Sequence, residues 1–183
     1  GSSTPESKKA THLERAAAYF EKGQYHEAGI EYRNVTQLDP KHAEAHYRLA
    51  LIYLKLGGLQ NLQAAFAELT RTVELDQSNR QAQLKLGELY LLGNEPTKAR
   101  ERAEVVLVSA PQHTEGLVLR GRSLAVEKRH KEAIEELKKA IEADPKVMQT
   151  YIDLSRVYFS ANDREAAERV LNQALKVNPR STD

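Results

Sequence analysis

The 183-residue sequence predicts an all-α solenoid, five helix-turn-helix repeats giving about ten antiparallel helices. Three observations predict it. Small side chains at Ala16, Ala50, Gly87, Gly121 and Ser155 recur almost every 34 residues, and Tyr19, Tyr53, Tyr90, Leu124 and Tyr158 follow three positions behind. A second small column reads Ala28, Ala65, Ala99, Ala133 and Ala167, and each repeat closes near Pro40, Gln77, Pro111, Pro145 or Pro179. A fixed period in this range marks stacked units, each burying its apolar face on its neighbours. Close helix crossing needs small residues at the contact, and the aromatic column fills the space beside them.

The elements follow in order. Residues 1–8 are polar; Gly1-Ser2-Ser3 has the look of a tag remnant, and the stretch through Lys8 is expected to be a flexible leader. From about residue 9, Leu13, Ala16, Ala17 and Phe20 fall at i, i+3, i+4 and i+7, one buried helical stripe. Gly23 ends that helix, and a second runs from about Tyr25 to Leu38 until Asp39-Pro40 stops it. The single array spans 9–181, with repeats at about 9–42, 43–79, 80–113, 114–147 and 148–181. Gly57-Gly58, Gly93-Asn94 and Asn162-Asp163 break the second, third and fifth units, and Pro96 suits a first helical turn. The second repeat is three residues longer than the others, and its surplus predicts a lengthened turn over 57–63. A tolerated insertion is the expectation there, with a protruding contact loop as the alternative.

Composition excludes several classes. Lys plus Arg number 27 against 26 Asp plus Glu, so bulk charge draws the chain toward neither nucleic acid nor membrane. The absence of cysteine excludes disulfides and thiolate metal sites. No apolar run reaches the ~18 residues of a transmembrane segment. No phosphate-binding glycine loop or nucleophile motif appears, so no enzyme activity and no cofactor are expected. His42 and His46, four apart, have a spacing that metals use, but a third ligand is lacking and no metal is expected. Acidic residues such as Glu132, Glu135 and Glu136 near Lys138 and Lys139 form a solvated face.

The segments Ala16-Ala17-Ala18-Tyr19, Leu49-Ala50-Leu51-Ile52-Tyr53 and Leu86-Gly87-Glu88-Leu89-Tyr90 resemble the tetratricopeptide repeat, as do the closings Leu38-Asp39-Pro40, Leu75-Asp76-Gln77 and Ala143-Asp144-Pro145. The match covers nearly the whole chain. It departs where the family's tryptophan is replaced by His12, His46, Gln83, Leu117 and Tyr151, and where Arg15 and Arg120 stand for leucine. The resemblance implies a right-handed superhelix whose first helices line a concave groove, and a role in holding a protein or peptide partner. A second similarity links the stretch from Lys8 to Tyr25 with the mature N-terminus of bacterial envelope lipoproteins of exopolysaccharide and protein-sorting systems. It implies a periplasmic or envelope-anchored location rather than a cytoplasmic one, with an anchor removed upstream.

The groove positions implied by the resemblance are Tyr47, Leu51 and Leu54, then Leu84, Glu88 and Leu91, then Val118 and Arg122, then Ile152, Arg156 and Phe159. The strip is apolar, as binding surfaces are. Arg122 and Arg156, one repeat apart, suit a carboxylate. The alternatives are that leucines pack against the next repeat and that the arginines pair with Glu115 or Glu88. The lysine and asparagine set by which co-chaperone members grip acidic chaperone tails is missing, so an apolar or mixed partner is expected. No nucleic acid or small-molecule substrate is expected, because coded polar positions and basic surface are lacking. The last helix pair carries Val157, Leu171, Ala174, Leu175 and Val177 without a polar capping helix, which predicts either a longer array or self-association through the array ends.

Overall fold

A computed structural model describes residues 3–178. Gly1, Ser2 and Pro179, which entered the sequence reading, lie outside the described residues. Those residues form ten α-helices and no strand: α1 Pro5–Glu21, α2 Tyr25–Leu38, α3 Ala43–Leu56, α4 Leu59–Leu75, α5 Arg80–Leu92, α6 Pro96–Ser109, α7 Thr114–Val126, α8 His130–Ala143, α9 Met148–Ser160 and α10 Arg164–Val177. They divide into two compact units, Gly1–Ala82 and Gln83–Asp183. In the first, α1 packs on α2, α2 on α3 and α3 on α4; in the second, each helix from α6 to α10 packs on the next.

The first unit's core gathers Ala16, Ala28, Tyr32, Val35, Ala45, Leu49 and Ile52. The second unit holds one cluster around Leu84, Ala99, Ala103, Val106 and Leu119. Another joins Leu124, Leu137, Tyr151, Leu154 and Val157. The small columns sit where backbones approach most closely. A Cβ on Gly87 would lie 2.4 Å from Leu119 Cδ2, and one on Gly121 would lie 2.8 Å from both Cγ and Cδ2 of Leu137.

Each hairpin turns on a left-handed residue. Gly23, Gly57, Asn94, Lys128 and Asn162 occupy equivalent positions, with φ of 72°, 73°, 57°, 61° and 62°. In four of them the following amide reaches five residues back, as Gln24 N–H to Tyr19 O at 2.9 Å and Arg129 N–H to Leu124 O at 2.9 Å, which satisfies helix-end carbonyls. Lysine pays a steric penalty in this region that glycine escapes. Lys128→Gly is therefore expected to raise stability by about 1 kcal/mol, read as a later urea midpoint with an unchanged slope.

Two sequence expectations are corrected. Residues 5–8 are not a loose leader: Thr4 Oγ1 accepts the Ser7 N–H at 3.1 Å and Pro5 stands at the first helical position, so α1 begins there. Lys9 then joins α1 to the end of α2 through Asp39, 3.2 Å away. The surplus of the second repeat is not a longer turn or a protruding loop. After Gly57-Gly58 the chain re-enters helix at Leu59, and α4 is 17 residues long where α2, α6, α8 and α10 are 14. Asn61 secures that added turn by donating to Gly57 O at 2.7 Å.

The column that lacks tryptophan is rebuilt from cross-hairpin pairs. His12 meets Glu31 at 2.5 Å, His46 meets Glu68 at 2.6 Å, and Arg102 donates to Gln83 at 3.0 Å. Leu117 is simply buried, while Tyr151 is buried with its hydroxyl donating to Pro145 O at 2.8 Å. The acceptors Glu31 and Glu68, and the donor Arg102, keep the same register as their partners. Glu68→Ala strips His46 of that contact inside a half-closed site, and a loss of about 1–2 kcal/mol in chemical unfolding is the expected result.

Candidate functional site

The two histidines with metal-like spacing have other work. His42 Nδ1 accepts the Ala45 N–H at 3.0 Å and caps α3. Both ring nitrogens of His46 are engaged, with Glu68 and with Pro40 O at 2.8 Å.

In the first unit, Tyr47, Leu51 and Leu54 lie on α3 at i, i+4 and i+7, each half-buried. Burial holds the Tyr47 phenol above its ordinary pKa, opposed by the Arg48 charge. Arg48 lies 4.9 Å above the Phe20 ring and bonds Glu44 at 2.8 Å, so this guanidinium is already held.

The second unit is different. Its first-in-pair helices α5, α7 and α9 bound a cavity of about 610 Å³ lined by Glu88, Leu91, Leu92, Arg122, Val126, Asp153, Arg156 and Val157, among others. A smaller recess of about 300 Å³ shares Glu88, Arg122 and Asp153 and adds Glu115, Val118, Asp144 and Thr150. Both volumes fall near the usual range of binding clefts. Among the expected positions, Glu88, Leu91, Arg122 and Arg156 therefore line the larger cavity, and Val118 joins Glu88 and Arg122 in the smaller.

The other positions go elsewhere. Leu84 is 2% exposed, packed with Ala99, Ala103, Val106 and Leu119, and offers nothing to a ligand. The alternative that leucines serve packing is right for this one. Ile152 is half-buried and Phe159 is exposed beneath the Arg164 guanidinium at 5.5 Å, and neither lines a cavity described here.

The arginine geometry is the informative part. Arg100 and Arg129 in the same unit reach glutamates at 2.9 and 2.6 Å. Arg122 and Arg156 are exposed, and among the described residues neither forms an ion pair or hydrogen bond, with Glu88, Glu115 or any other group. Beside them stand apolar side chains left open to solvent, Leu92 at 71% and Val126 at 45%. Free guanidinium groups beside exposed aliphatic surface are an arrangement that a mixed apolar and acidic segment fits.

Sequence reasoning passed over Asp153 and Thr150. Asp153 is 7% exposed; its Oδ1 accepts from Gln149 Nε2 at 3.1 Å and its Oδ2 has no partner. The Thr150 hydroxyl is likewise buried and unpartnered. The available signal was one carboxylate inside the run Tyr151-Ile152-Asp153-Leu154 of a packed helix.

Comparison with known proteins agrees with this architecture. Models described as tetratricopeptide repeat match residues 56–114, 85–147 and 124–183, and one described as TPR repeat matches 16–57. A MamA structure from Desulfovibrio magneticus RS-1 superposes with a TM-score of 0.84 at 16% identity, covering 96% of this chain and 98% of that one. YrrB, described as a TPR protein with an unusual peptide-binding site, gives 0.79 at 19% identity over 93% and 87%. The mouse peptidyl-prolyl cis-trans isomerase FKBP4 is 29% identical over 115 residues, 55% of this chain, and the chain spans 24% of that protein's length. None of the helices is long and apolar enough to cross a membrane, among the described residues. The chain belongs to the tetratricopeptide repeat family, a fold of protein–protein interaction scaffolds.

Proposed function

We propose that the chain is a non-catalytic scaffold that holds an extended segment of a partner protein in the groove of its second unit, against α5, α7 and α9. The observation that carries this reading is the pair of unpaired, exposed arginines, Arg122 and Arg156, in one cavity with the exposed Leu92 and Val126. A segment presenting an acidic group to the guanidinium pair and an aliphatic side chain to that shelf satisfies both. In the first unit, Tyr47, Leu51 and Leu54 form an apolar stripe of their own on α3, which we propose as a second, independent contact surface.

Photo-crosslinking tests it. A photoreactive residue at Val126, inside the cavity, is expected to join one defined stretch of a partner, and the same group at Glu135, exposed on α8, is expected to join none. Equal yields from the two positions would contradict a groove-directed scaffold. A second reading, self-association, draws on Leu171, Leu175 and Val177, which α10 leaves exposed. Light scattering that reports a monomer across a hundredfold concentration range removes it.

A further inference from the structure

We infer that His46 is a proton-dependent lock on the hairpin of α3 and α4, doubly protonated in the folded chain, so that the first unit loosens as pH rises. The inference comes from counting donors. Pro40 O can only accept, and it lies 2.8 Å from His46 Nε2, so that nitrogen carries a hydrogen. Glu68 Oε2 lies 2.6 Å from Nδ1, and an ionised carboxylate likewise only accepts. A neutral imidazole has one N–H and one bare nitrogen. It serves one of these acceptors and sets a lone pair against the other. The imidazolium serves both, and each contact becomes charge-assisted. The ring and the carboxylate are 11% and 24% exposed, so water has little room to replace a lost donor.

The surroundings leave this pair to itself. The helices packed on α3 are α2 and α4. On α4 the other charges, Arg71 and Glu74, meet each other at 3.4 Å. On α2, Glu31 is taken by His12, Arg33 donates to Tyr53 at 3.3 Å, and His26 and Glu27 are exposed. Tyr32 is buried, and burial pushes its phenol above the ordinary range, so it stays uncharged near neutrality. Between α2 and α3, Asp39 is held by Lys9, and Lys41 is exposed. Within α3, His42 caps the helix and Arg48 bonds Glu44 at 2.8 Å. Among the described residues, His46 is the one cation that meets Glu68. The repeat register supplies a contrast. His12 and Glu31 hold the equivalent positions one repeat earlier, but only Nδ1 of that ring has a partner among the described residues, so a neutral imidazole satisfies it. The third repeat has Gln83 and Arg102 there, which do not titrate near neutrality.

An isolated histidine gives up its proton near pH ~6.5 and a glutamate near ~4.3. Above pH ~6.5 the folded chain therefore binds more protons than the unfolded one. The stability from this lock is complete between about pH 5 and about pH 6.5 and falls as pH rises further. Since α3 also carries Tyr47, Leu51 and Leu54, mild acid is the medium that holds that stripe firmest.

Ring-nitrogen NMR of the full chain tests the lock. At about pH 7, His46 is expected to carry both ring protons where the exposed His26 largely carries one. A wild-type His46 ring with a single proton at that pH overturns the inference. Urea unfolding, followed at the Ala45 and Leu49 amides, reads the consequence. Between about pH 6 and about pH 8 the folded-to-unfolded ratio is expected to fall about tenfold more in the wild type than in Glu68→Gln, the effect of one proton held across about one pH unit. The glutamine amide donates to Nδ1 while Nε2 still serves Pro40, so a neutral ring satisfies every contact in that variant. Equal pH responses in the two chains overturn the lock, and the wild-type ring spectrum decides the matter if the variant folds poorly.

Discussion

Gly121→Val is expected to destabilise the second unit by about 3 kcal/mol, the upper end of what overpacking a well-filled core costs. Gly121 is in α7 at the crossing with α8. Its missing Cβ would stand 2.8 Å from Leu137 Cγ and Cδ2 and 3.5 Å from Glu136 Cβ. Leu137 cannot yield easily, because it is fully buried among Leu124, Ala133, Tyr151, Leu154 and Val157. Valine adds two further methyl groups to that collision, and its stiff χ1 leaves few escapes. Alanine is the milder case, since its helix propensity recovers about 1 kcal/mol over glycine. Gly29→Ala provides the internal control. Its Cβ would meet Ile52 Cγ2 at an ordinary 3.6 Å, so propensity alone acts and stability is expected to hold or rise. Urea unfolding followed by helical circular dichroism checks all three. A Gly121→Val chain that melts with the wild type would mean that α7 and α8 do not cross as closely as described.

The second large effect concerns binding. Arg122→Glu combined with Arg156→Glu is expected to weaken partner binding about 100-fold, the product of two lost charge-assisted contacts. Four carboxylates, these two with Glu88 and Asp153, would then line the larger cavity and repel an acidic ligand group. Folding should not suffer, since both arginines are exposed and unpaired, and surface changes of this kind usually stay within about 0.5 kcal/mol. The double lysine variant keeps the charge but loses the planar fork, so an intermediate loss is expected. Isothermal titration against the crosslinked segment made as a peptide gives the numbers. Undiminished affinity in the glutamate variant would remove the arginines from the account.

The repeats were legible because backbone approach imposes them. A Cβ at Gly87 or Gly121 would force a neighbouring leucine side chain to shift, and Ala16, Ala28, Ala65, Ala99 and Ala133 are completely buried, so the small columns mark the helix crossings themselves. Where local signals competed, the reading failed. Gly57-Gly58 announces a turn, and the uncharged stretch that follows looks like its continuation. Yet two glycines with positive φ, Gly57 at 73° and Gly58 at 87°, complete that turn by themselves, and the surplus is absorbed as added helix in α4. At the N-terminus, Thr4-Pro5-Glu6 is a helix-start signature, but the polar composition of residues 1–8 outweighed it. Lys128 shows the opposite case: the fourth hairpin has neither glycine nor asparagine at its turn, yet a lysine stands there at φ 61°, with Lys128 N–H to Ala125 O at 3.0 Å and Arg129 N–H to Leu124 O at 2.9 Å closing the helix end.

The site was legible in part. Of the groove positions implied by the family resemblance, Glu88, Leu91, Val118, Arg122 and Arg156 lie on cavity walls. Register alone could not distinguish a groove wall from a core position, which is why Leu84 was misplaced. Nor does the sequence reveal which charges find partners. Arg120, a leucine substitute in the repeat pattern, lies 3.7 Å from both Glu104 and Glu136, while Arg122, two residues on, has no partner among the described residues. That difference arises from the directions successive residues take around a helix and from what the neighbouring helix places there.

A co-crystal structure of the chain with its crosslinked partner segment tests the docking surface most directly. The segment is expected between α5, α7 and α9, with a carboxylate on Arg122 and Arg156 and an aliphatic side chain against Leu92 and Val126. A segment bound along α6, α8 or α10, with both guanidinium groups still facing solvent, would contradict it.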